Sequence, residues 1–133
     1  MQTSSSAINV DLRIQFNSDT ATNYSDTHLV GTSSASSSRN TNLTALAVDN
    51  TGTGGSPSAT PDIVYLINVL NYANTTTYKT SLFRFNSVTG TVVEAGVGLW
   101  RATPAAINTI KLFFTTGNLV SGSTFNLYGI TAA

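Results

Sequence analysis

INVDLRIQFN, residues 8–17, alternates apolar and polar side chains without interruption. Ile8, Val10, Leu12, Ile14 and Phe16 share one face of this segment; Asn9, Asp11, Arg13, Gln15 and Asn17 share the other. A repeat of two rather than 3.6 specifies a half-buried strand of an antiparallel sheet, with one face on a core and one in water. The NSDTATN run at 17–23 ends it, because Asn and Asp side chains bond their own backbone in turns.

Working outward, residues 24–30 form a weaker strand before Gly31. TSSASSSRNTN, residues 32–42, reads as a Ser-rich connection or an edge excursion. Residues 43–48 fit a short buried strand, followed by the Gly- and Pro-containing turn NTGTGGSPSATP at 50–61. IVYLINVL, residues 63–70, is nearly continuous apolar and rich in β-branched types, which predicts a central strand. Residues 78–85 supply another, with Lys79 and Arg84 at exposed or rim positions. In the strand at 91–100, Gly96 and Gly98 mark a bulge or a close backbone approach. Pro104 makes its surroundings a corner, since it donates no ladder hydrogen bond. Apolar runs at 107–114 and 123–130 read as two closing strands, with Phe125 and Leu127 in the last.

The pattern thus predicts seven or eight strands and no helix. The expected fold is an all-β antiparallel sandwich, of jelly-roll form, spanning 8–133 as one domain behind a flexible arm at 1–7.

Composition narrows the function. The 133 residues are 41% hydrophobic but only 9% charged, against about 25% charged in average soluble domains. Six basic and six acidic residues cancel, which gives no basic footprint for nucleic acid. No apolar run is long enough to span a membrane as a helix, and the N-terminus lacks the basic and apolar regions of a signal peptide. Absence of cysteine removes thiolate catalysis, disulfides and Cys-based metal sites.

Little reaction chemistry is marked. The acids are Asp11, Asp19, Asp26, Asp49, Asp62 and Glu94, and no spacing selects the carboxylate pair a glycosidase needs. Asp19 and Asp26 flank a turn without the spacing of a calcium loop, and the lone His28 suits a surface or hydrogen-bonded structural role. TGTGGS lacks the strand, helix and Lys of a phosphate loop. No enzyme activity, cofactor or metal is expected. Trp100, Tyr65, Tyr72, Tyr78 and Tyr24 are candidates for an aromatic, sugar-stacking face, and Trp100 beside Arg101 is the candidate protein contact, with core packing its default.

Three stretches carry a resemblance: LRIQFNSDTATNYSDTHLVG at 12–31, VYLINVLNYANTTTYKTS at 64–81 and INTIKLFFTTGNLVSGSTFNLYGI at 107–130, together about half of the chain. They resemble a family of tailed-bacteriophage virion structural proteins, the last through its Ile-x-x-Ile, Gly-Asn and Gly-Ser-x-Phe-x-Leu-Tyr-Gly order. The resemblance implies a virion part without catalytic residues. Within that class a capsid decoration (cement) protein on the capsid surface is expected, binding the major capsid protein and assembling as a homotrimer. The alternative is a tail or tail-fibre component with receptor or carbohydrate binding. Met1, Ser4, Ser5 and Ser6 of the arm, Ile8 at the head of the first strand, Arg39 and Trp100 are the expected interface residues. The arm is polar, leads into the strongest strand, and suits addition to an exposed sheet edge.

Overall fold

A computed structural model describes residues 11–50, 63–87, 92–116 and 123–130, and the arm with Met1, Ser4, Ser5, Ser6 and Ile8 lies outside them. The alternating first segment forms β1 (Leu12–Phe16), with Leu12, Ile14 and Phe16 all buried as its pattern requires. It is followed by β2 (Tyr24–Gly31), β3 (Ala35–Leu43), β4 (Leu46–Ala47), β5 (Ile63–Leu70), β6 (Lys79–Ser87), β7 (Val93–Trp100) and β8 (Ile110–Phe114). Among the described residues there is no helix.

The strands make two antiparallel sheets, ordered β4-β1-β8 and β3-β2-β7-β6-β5. Their facing sides share one core of Leu12, Ile14, Phe16, Tyr24, Leu46, Val48, Phe83, Trp100, Ile107 and Phe114. Each large apolar side chain so buried contributes about 1.5–3 kcal/mol. This is the expected β-sandwich. Its jelly-roll form, in which successive strands alternate between sheets, is not established by these pairings, since β5, β6 and β7 follow one another within one sheet.

Local chemistry explains the joints. Asn17 and Ser18 both take left-handed φ, 52° and 56°, and Asp19 N bonds Phe16 O at 2.9 Å, giving a tight reversal of the primed kind. Tyr24 spans the same turn: its hydroxyl accepts from Phe16 N at 3.0 Å and lies 3.2 Å from Asp19 O. In β7, a Cβ on Gly98 would meet Leu46 Cδ1 at 2.6 Å, and one on Gly96 would enter the Phe83 ring. Gly98 thus marks a close approach between the two sheets, and Gly96 makes room for the ring of its cross-strand neighbour Phe83 within one sheet.

Several positions differ from expectation. Residues 35–43 of the Ser-rich segment are not a structureless connection but an edge strand, the second of its two readings, largely exposed and paired only to β2 among the described residues. β5 likewise pairs only with β6 among the described residues, an edge position rather than a central one. Lys79 is 1% exposed, because its Nζ curls onto Thr77 O at 2.7 Å while its stem lies inside the sandwich. The last apolar run belongs to no ladder: Phe125 and Leu127 are 48% and 85% exposed instead of filling a closing strand.

Candidate functional site

The inward faces of β2 and β7 carry polar groups as well as apolar ones. Alternation turns Asp26 and His28 of β2 and Glu94 of β7 toward the core, where each is at most 2% exposed. His28 Nδ1 contacts Glu94 Oε1, and Nε2 lies 3.0 Å from Asp26 Oδ1, outside hydrogen-bond geometry. Asp26 also accepts from Asn40 Nδ2 at 2.8 Å and Ala47 N at 2.9 Å, while Asn50 N reaches Glu94 Oε1 at 3.1 Å. Nearby Asp49 accepts from the Tyr65 hydroxyl at 2.5 Å and from Leu12 N at 3.3 Å.

Burial alone pushes the His28 imidazole toward its neutral form. The hydrogen bond to Glu94 and the negative charge of both Asp26 and Glu94 beside the ring outweigh that effect and raise its pKa from 6.5 to about 9. Burial dominates at Asp49, raising its carboxyl from 3.8 to about 7 against the opposing bonds from Tyr65 and Leu12.

These groups lie in the core between the sheets. They are sealed from solvent, and Ser81, buried on β6 in the row of Asp26, has a hydroxyl without a hydrogen-bond partner. Among the described residues the groups against the His28 nitrogens are the carboxylates of Glu94 and Asp26. No group of three His, Cys, Asp or Glu among the described residues is placed to hold a metal. Asp19 is occupied by Asn23 Nδ2 at 2.9 Å, Ala21 N at 2.9 Å and Trp100 Nε1 at 2.7 Å, and is not joined with Asp26. The cluster tethers β2, β4 and β7 through their polar groups.

Trp100 is correspondingly a core residue. It is 4% exposed, stacks on Tyr24 at 6.3 Å and packs on Phe16 at 5.7 Å. Buried in this way it offers no contact surface, which removes it from the expected interface. Tyr24 is buried and Tyr65 stacks on Phe85 at 5.1 Å, so the candidate aromatic face reduces to exposed Tyr72 and Tyr78. Arg39, by contrast, is exposed on edge strand β3.

Two surfaces stand out. The first is the outer face of the five-stranded sheet, where Leu29, Val64, Leu66, Leu70, Leu82, Val93 and Val97 are between 41% and 65% exposed. Strand register gathers them: Leu29 lies beside Ala95, Ala95 beside Arg84, and Arg84 beside Leu66. Arg84 is a charge within this apolar field and has no ion-pair partner among the described residues. The second is a groove of about 700 Å³ between β5 and β8, bordered by residues 124–128 and 130.

Sequence reasoning missed the outer face because an apolar run such as IVYLINVL looks the same whether its second face is covered by the chain itself or left open. Comparison of the chain with family models, curated proteins and solved structures finds no match. Fold and surfaces together define an antiparallel β-sandwich with a sealed polar interior and an open apolar sheet face.

Proposed function

We propose that the protein is a non-catalytic virion structural protein, specifically a capsid decoration (cement) protein that binds and stabilises an icosahedral shell. The apolar outer face of the five-stranded sheet carries this reading. Seven large apolar side chains on one continuous sheet face favour coverage by another protein surface. Arg84 within it favours a partner that supplies a carboxylate, because burying an unpaired charge is costly.

The resemblance of residues 12–31, 64–81 and 107–130 to tailed-phage virion proteins supports a virion setting, within which the major capsid protein is the proposed partner. Several copies act together, with a trimer at threefold sites the preferred arrangement. Each seated copy holds its remaining contacts at high effective concentration, so weak contacts sum to firm attachment that bridges adjacent capsomers. Particle reconstruction tests this reading. Many copies distributed over the shell, with the β5-β6-β7 face against capsid protein, are expected; a few copies confined to the tail would replace it with the tail-component reading.

A further inference from the structure

Residues 123–130 carry no charge, and Leu127, Tyr128 and Ile130 are 82–85% exposed. In a strand, Phe125 and Leu127 would project to one side and Tyr128 and Ile130 to the other. Apolar side chains on both sides suit a strand covered on both sides, and one lying at the rim of its own sandwich has only one side to cover.

The groove it borders has the complementary chemistry. Its walls include Leu12, Ile14, Ile67, Val69, Ile110 and Leu112, with no ionisable side chain except Tyr65 and the segment's own Tyr128. One wall is β5, the last strand of the five-stranded sheet. Exposed edges are commonly guarded by charge, as Arg39 does on β3 and Lys111 on β8, but residues 63–70 contain no charge, proline or glycine. The eight-residue β5 and the seven residues 124–130 also match in length, at about 23–26 Å when extended at ~3.3 Å per residue.

We propose that this groove is a self-association site, in which residues 124–130 of a second copy add as a strand along 64–70 of β5 and lay their apolar side chains between β5 and β8. A second copy fits because the two surfaces are uncharged and present together on every chain, so each copy supplies both halves of the contact. In each copy one aromatic ring, at roughly 150–250 Å², and one aliphatic side chain enter the partner's groove, and the backbone ladder along β5 supplies the rest of the contact. The site shares β5 with the outer sheet face, Val64 and Leu66 bordering both, but Leu127 lies outside that face, so a variant at Leu127 tests the groove separately from shell binding.

The absence of cysteine makes a direct test available. Leu127→Cys in a chain lengthened by a tag and Val69→Cys in an untagged chain are mixed and oxidised. A disulfide joining the long chain to the short one is expected. In the double variant, a disulfide closing within one chain at every concentration would overturn the proposal. Light scattering of the unaltered protein should show a closed oligomer. Leu127→Asp should raise the concentration for half-assembly at least tenfold, with an unchanged circular dichroism spectrum, because this side chain is exposed in the isolated fold. A monomer throughout the accessible concentration range, or unchanged assembly in Leu127→Asp, would equally reject it.

Discussion

His28 and Asp49 make the fold sensitive to pH in one direction. His28 has a folded pKa of about 9 against 6.5, so its contribution is complete below about pH 6.5 and is lost as pH rises through 9. Asp49 is also raised, to about 7, so its proton favours the folded chain at low pH and the cost of ionising it grows between about pH 4 and 7. Asp19 acts oppositely. Its desolvation is outweighed by bonds from Asn23, Trp100 and Ala21 that lower its pKa, so its contribution is present above pH 3.8 and is lost on further acidification. Thermal unfolding should therefore show a higher Tm at pH 5 than at pH 9, with the His28 share on the order of 3 kcal/mol. His28→Gln should be less stable at pH 5 and should flatten the slope between pH 6.5 and 9. An equal Tm at pH 5 and 9 in the unaltered protein would contradict the triad. Nothing local in the sequence marks this site: Glu94 is 66 positions from His28, and only the β2–β7 pairing brings them together.

β7 shows how far a strand was legible and where legibility stopped. Its glycines suggested close approach, and Gly96 faces Phe83 while Gly98 faces Leu46. Gly96→Ala should lower stability by about 1–3 kcal/mol through overpacking, and Phe83→Leu in the same chain should recover part of the loss. Denaturant titration measures both; a Gly96→Ala midpoint equal to that of the unaltered protein would show that the Phe83 ring has room to move aside. β1 was readable because Leu12, Ile14 and Phe16 alternate with polar residues and all three are buried, although Gln15 on the opposite face is buried as well, its amide donating to Thr44 O. β5 was readable as a strand but not as an edge, since Val64, Leu66 and Leu70 look like core until strand order leaves their side of the sheet uncovered. Residues 123–130 failed for a related reason: alternation reports that a segment suits a sheet, while the partner strand is a property of the fold or assembly.

Formal neutrality conceals an uneven distribution of charge. Asp26, Asp49 and Glu94 are buried, and Asp11 is paired with Arg13 at 2.8 Å, whereas Arg39, Arg84, Arg101 and Lys111 are exposed without ion-pair partners among the described residues. The described surface is consequently more basic than the composition suggests, and its cations are spread over β3, β6, the end of β7 and β8 rather than gathered in a nucleic-acid patch. Arg84 distinguishes what covers the apolar sheet face. Against a capsid surface that supplies a carboxylate, Arg84→Met would leave that acid buried and unpaired, a loss of about 2–5 kcal/mol, or roughly 30-fold or more in affinity. Against a second copy of the same face, two arginines would enter one interface without a described carboxylate to meet them, and Arg84→Met would strengthen association. Shell-binding competition between Arg84→Met and unaltered protein should therefore show a reduced share of the variant, with its loss shrinking as salt rises. A larger share of Arg84→Met on shells, or a new sheet-face oligomer in solution, would assign the face to self-assembly and leave shell attachment to another surface.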